Sequence, residues 1–79
     1  MSNLPTYFKD LSIGDTARIV NFHQLNKAYR NRLMSLGLTP GTEFKIQHMA
    51  PLGDPVSISV RGFHLSLRWA EAGNMEVTK

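Results

Sequence analysis

The sequence predicts a small, mainly β protein: about five short strands curled into a closed or nearly closed β-barrel, with one inserted α-helix and a short helical turn. Three observations predict it. Apolar and polar residues alternate in short runs such as "EFKIQH", "PVSISVRG" and "FHLSLR". Only "NKAYRNRLMSLGLTPG" carries the apolar spacing of a convincing α-helix. At 79 residues the chain forms one domain, 1–79, with residues 1–10 a short lead, and so many strands in so little chain favour a barrel over a sandwich.

The lead contains Leu4, Tyr7, Phe8 and Leu11. Gly14-Asp15 then forms a turn into a strand in which Ala17 and Ile19 alternate, while Phe22 falls out of step with a period of two. A bulge near Val20 and Asn21 restores the phase. In the helix, Asn26 is the N-cap and Tyr29, Leu33 and Leu36 form an apolar stripe, with Lys27, Arg30 and Asn31 turned elsewhere. Gly37 stands where a helix ends in the left-handed conformation, and Leu38 folds back on Leu33 as in a Schellman motif. In "TPGT", Pro40 and Gly41 take the second and third positions of a type II turn.

The next strand places Phe44, Ile46 and His48 on one face. Val56, Ile58 and Val60 point inward on the following strand, and Phe63, Leu65 and Leu67 on the one after it. Arg61-Gly62 joins these two as an antiparallel hairpin. "RWAEA" is one helical turn, Gly73-Asn74 closes it, and Met75 with Val77 begins a last strand.

The composition, 42% hydrophobic and 19% charged, is that of an ordinary globular chain. Without cysteine there are no disulfides, thiolate zinc sites or thiol nucleophiles, and the cytoplasm is the expected compartment. The N-terminus lacks the features of a signal peptide, and no run approaches the roughly 18 apolar residues of a membrane helix, so direct membrane insertion is not expected. The net charge of +3 is unevenly placed. Between Thr16 and Thr42 stand four cations, Arg18, Lys27, Arg30 and Arg32, and no acid. Such a patch attracts anionic partners, but it is thin beside the basic stripe of a nucleic-acid binder.

No signature of a catalytic nucleophile, phosphate loop or zinc protease is present, and Asp54 and Glu71 lie on different elements, so an enzyme is not expected. No cofactor is expected either. His23, His48, His64, Asp54 and Glu71 are the right types for a divalent metal. However, His48 alternates with the inward Ile46 and His64 with the outward Ser66, which sets the two on opposite faces and argues against a built-in site. His23 and His64 remain the candidates for a weak one. Alternation turns Phe22, Phe44 and Phe63 inward, leaving chiefly Tyr7, Tyr29 and Trp69, of which Tyr29 belongs to the helix stripe, so core packing accounts for most of the aromatics.

"APLGDP" has two readings. Pro51 and Pro55 fix backbone torsions, Gly53 permits a left-handed one, and Asp54 can accept hydrogen bonds from the loop's own amides. This makes either a stiff turn serving itself or a rigid projection gripped by another protein, with Leu52 as its apolar tip.

Taken in order, Arg32-Leu33, Leu36-Gly37-Leu38, Pro40-Gly41, Ala50 to Pro55, and Leu67-Arg68 followed by Glu71-Ala72 resemble the bacterial ferrous iron transport protein A family, FeoA. The resemblance runs from about Leu11 to Val77. It implies an SH3-like β-barrel with a helix inserted after the first strand. It also implies a cytoplasmic, non-enzymatic accessory of the ferrous iron permease, whose GTP-binding cytoplasmic domain would be the partner and would recruit it to the inner face of the membrane. Leu52, Gly53 and Asp54, with Lys27 and Arg30 on the helix, are the expected contact residues; Leu36, Gly37, Pro40, Gly41, Pro51 and Pro55 are structural. The same barrel occurs in metal-dependent repressors, so a stand-alone metal-responsive domain is the second reading and a nucleic-acid-binding barrel the third. Self-association is left open.

Overall fold

The computed structural model describes residues 5–79; Leu4, assigned to the lead, lies outside them. The elements are β1 (Thr6–Tyr7), a 3-10 turn (Phe8–Asp10), β2 (Thr16–Asn21), α1 (Lys27–Ser35), β3 (Glu43–Met49), β4 (Val56–Val60), β5 (Phe63–Leu67), α2 (Trp69–Ala72) and β6 (Glu76–Thr78). The strands form one antiparallel sheet in the order β1-β6-β2-β3-β4-β5. Among the described residues the fold is mainly β as predicted, but its sheet holds six strands rather than about five and does not close. β1 and β5 are its two edges.

The additional strand lies in the expected lead. Thr6 and Tyr7 pair with Val77 and Glu76, and the next residue, Phe8, is fully buried. Its ring lies 5.8 Å from Phe44 and 5.4 Å from Trp69, both tilted, the arrangement that aromatic quadrupoles favour. Trp69 is thereby a half-buried core aromatic and not a free stacking platform.

Two bulges set which residues reach the core. In β2 the register against β6 shifts between Ile19 and Asn21, which lets Ile19 and Phe22 both turn inward. In β3 the register against β4 shifts between Ile46 and His48, a bulge that the alternation of Phe44, Ile46 and His48 does not predict. It inverts the phase: Met49, not His48, packs on the core, and His48 is exposed. His48 therefore stands on the outer face, opposite Ser57, the same face that carries Ser59 and its partner His64. The geometric reason for separating the two histidines is gone.

The turns follow their residue types. Asn26 Oδ1 accepts the Ala28 N–H at 2.8 Å and caps α1. At the other end the Leu38 N–H reaches Leu33 O (2.9 Å) and the Gly37 N–H reaches Met34 O (3.0 Å), the two bonds of a Schellman motif. Gly37 has the positive φ, 92°, that the motif requires. Thr39–Thr42 closes with a 3.0 Å bond and a φ of 94° at Gly41, a type II turn. Arg61 and Gly62, both at positive φ, join β4 to β5 as a type I′ turn, whose twist matches that of the strands.

The apolar stripe of α1 is narrower than predicted. Leu33 is buried, Tyr29 is partly buried, and Leu36 is 36% exposed. Leu36 is the C-cap, so the chain has left the helical path there, and Leu38 beyond it takes the buried place. Phe63 also departs from expectation, being 40% exposed although its cross-strand partner Val60 is buried. It lies on the open edge of the sheet, where the inward face has no neighbouring strand to cover it.

Candidate partner-binding surface

α2 holds together the two segments that the sequence marks for contact. On one side, the Trp69 N–H, at the start of α2, donates to Asp54 Oδ1 at 3.0 Å. An N-terminal helical amide has no partner within its own helix, and a carboxylate is well suited to accept from it. Asp54 therefore does not serve the amides of its own loop; it anchors that loop to an element fifteen residues onward. On the other side, Glu71 of α2 forms an ion pair with Arg32 of α1. Asp54 and Glu71, which lie on different elements, are thus both tied to one short helix.

The loop is braced internally as well. The Ala50 N–H donates to Pro55 O (3.1 Å) and the Gly53 N–H to Ala50 O (2.7 Å), while the Asp54–Pro55 peptide is cis. At the crest of this braced loop Leu52 is 96% exposed. A single exposed leucine is ordinary on a protein surface, but full burial of this side chain against a partner would be worth about 1.5–3 kcal/mol.

The expected basic face of α1 is partly neutralised. Arg32 is taken by Glu71, which leaves Lys27 and Arg30. Lys27 begins the helix, and the first turn carries no acid, so a cation sits at the positive end of the helix dipole. Helix stability does not explain it. The Nε of Arg30 is buried and lacks a hydrogen-bond partner among the described residues. Met34 of α1 (43%) and the C-cap Leu36 are exposed as well, a mixed apolar and basic surface. Met34 lies off the Tyr29-Leu33-Leu36 stripe, so apolar spacing does not mark it.

His23 is exposed after the β2 bulge, where its N–H donates to Asn21 Oδ1 at 3.1 Å, and His64 is exposed on β5. Among the described residues no group of three or more His, Cys, Asp or Glu is placed to hold a metal. Nor does any helix of the described residues have the length and apolarity to cross a membrane.

The family model of the FeoA domain matches residues 8–79. A fusion protein of Fe(2+) transport protein A and the Fe(2+) transporter FeoB from Porphyromonas gingivalis is 32% identical over 68 residues, which are 86% of this chain. The chain spans only 8% of that protein's length. Among solved structures, the FeoA protein of Chlorobium tepidum superimposes with a TM-score of 0.81 at 35% identity, covering 92% of this chain and 69% of that one. The FeoA of Stenotrophomonas maltophilia, complexed with zinc and described as a procaryotic SH3 domain protein and a candidate ferrous iron transport activating factor, matches with a TM-score of 0.68 at 26% identity over 91% of this chain and 88% of that one.

Proposed function

This chain belongs to the FeoA family, and on that premise we propose that it is a small, non-enzymatic, cytoplasmic accessory of a ferrous iron transporter, acting by direct contact with the permease's GTP-binding cytoplasmic domain. The fusion of the two proteins in the Porphyromonas relative supports the pairing, because fusion holds two partners at high effective concentration. One observation carries the choice of surface. Leu52 is displayed almost completely on a loop that is hydrogen-bonded within itself and tied to α2 through Asp54. A preorganised apolar projection loses little freedom on docking, which is what an interface anchor requires. On this reading Lys27 and Arg30 of α1 supply the charged part of the surface.

The two parts of this surface act differently. Leu52→Ala speeds dissociation from the permease's cytoplasmic domain, weakening binding by about 1–3 kcal/mol, as expected for an apolar anchor. Reversing Lys27 and Arg30 to Glu mainly slows association and reduces its salt dependence. Binding kinetics against that domain in its GDP-bound, GTP-bound and empty states measure both effects. Wild-type rates for all three variants in every state would remove this surface from the reading.

A further inference from the structure

The open edge at β5 differs from the edges by which small β proteins usually avoid unwanted pairing. Natural edges are blunted by lysine, proline, bulges or very short strands. β1, at the other edge, is blunted by its length of two residues. β5 has five residues, no proline, no lysine and an unbroken register with β4 from Val60↔Phe63 to Val56↔Leu67. Among the described residues no strand pairs with its far side.

The turn type fixes which backbone groups are free. In a hairpin closed by a two-residue turn, the residues flanking the turn exchange hydrogen bonds, and the pattern then alternates. Phe63, Leu65 and Leu67 therefore bond to β4, and the N–H and C=O groups of His64 and Ser66 point away from the sheet. The inward side chains along this edge are incompletely covered, with Phe63 40% exposed and Leu65 only partly buried. Cations close both ends: Arg61 lies in the turn before β5 and Arg68 follows Leu67, both exposed.

We propose that the free edge of β5 is a second docking site, which takes an extended segment of a partner protein as an added strand, apolar at alternate positions and acidic at both ends. The backbone of His64 and Ser66 supplies the hydrogen bonds, and alternate apolar side chains of the guest cover Phe63 and Leu65. Arg61 and Arg68 select acidic flanks. They also disfavour a second copy of this chain, because two β5 strands paired antiparallel about Leu65 bring Arg61 of each copy beside Arg68 of the other. The site uses the edge backbone and not the exposed Leu52, although its Arg68 end adjoins that loop where Asp54 accepts the Trp69 N–H.

The test is an NMR titration of the full chain with two acetylated, amidated peptides, Asp-Val-Thr-Val-Thr-Val-Asp and its counterpart with lysine at both ends. The acidic peptide is expected to bind at least about fivefold more tightly, as for charges flanking an interface. It should shift the amides of His64 and Ser66 and slow their hydrogen exchange. The double variant Arg61→Glu/Arg68→Glu, which leaves the backbone intact, should invert the preference. Ser66→Pro should abolish binding while keeping the β4 pairing, since that N–H is not used within the sheet. Leu52→Ala should bind the peptide as the wild type does. Unshifted His64 and Ser66 amides at millimolar peptide, equal affinity for the two peptides, or peptide-free self-association that Ser66→Pro removes would each overturn the proposal.

Discussion

The segment after α1 and the loop between β3 and β4 both combine leucine, glycine and proline, as Leu-Gly-Leu-Thr-Pro-Gly in one and Ala-Pro-Leu-Gly-Asp-Pro in the other. Their leucines have opposite fates: Leu38 is fully buried and Leu52 is 96% exposed. The first segment is bonded into the sheet, with the Gly41 N–H donating to Ile19 O (2.7 Å) and the Ile19 N–H to Thr42 O (2.9 Å). Thr42 is buried there, and its hydroxyl accepts from the Thr39 N–H at 3.2 Å. The second segment satisfies its bonds internally or through Asp54 and leaves its crest free. Turn chemistry is thus neutral between structure and function. What separates the two loops is whether the leucine beside the glycine has a core to enter.

That contrast is broken most directly at Leu38. Leu38→Ala should destabilise the fold by about 2–5 kcal/mol, the cost of a cavity beside Leu33, read as a lowered denaturation midpoint with unchanged slope. Gly37→Val should cost about 1–2 kcal/mol. A Cβ at Gly37 would meet no atom within 4 Å, so the expected loss comes from the positive-φ backbone conformation. Asp54→Ala should cost about 1 kcal/mol, because the Trp69 amide loses a charged acceptor that is only partly screened from water. Leu52→Ala should leave stability within about 0.5 kcal/mol of wild type, since the side chain touches almost nothing in the free protein. A Leu52 variant as unstable as the Leu38 variant would erase the distinction between the loops.

Legibility from the sequence divides along a physical line. Features fixed within a few residues were readable: the Asn26 cap, the Schellman end at Gly37, the turn at Pro40-Gly41 and the turn at Arg61-Gly62. The β2 bulge was readable because Ile19 and Phe22 are spaced by three. Ile46 and Met49 carry the same spacing, and taking His48 as the inward residue hid the second bulge. Features that depend on distant chain were not readable. Asp54 finds its partner on α2, Glu71 pairs with Arg32, and a two-residue strand such as β1 is too short to show alternation. Alternation correctly turned Phe63 toward the core side, but no local pattern reveals that the sheet ends there.

Asp15 offers a local counterpart to Asp54. Its carboxylate accepts the Ser12 N–H at 2.8 Å within its own turn, and Lys79 lies 3.4 Å away. The Ser12 N–H is the main cause holding the carboxyl below its ordinary value; desolvation opposes this, and Lys79 adds to it. A carboxyl whose folded pKa is lowered binds its proton more readily in the unfolded chain. Its contribution to stability is therefore fully present above the ordinary aspartate pKa of about 3.9, and is lost as pH falls through the lower, folded value. Asp15→Asn keeps a neutral acceptor and removes the charge. The stability difference between wild type and this variant should be small and constant above about pH 5, then shrink toward zero on acidification. Added salt should reduce the part due to Lys79 and spare the part due to Ser12, because the exposed ammonium is screened and the short hydrogen bond is not. A difference that widens as pH falls would mean that the Ser12 turn does not hold the ionised carboxylate in solution.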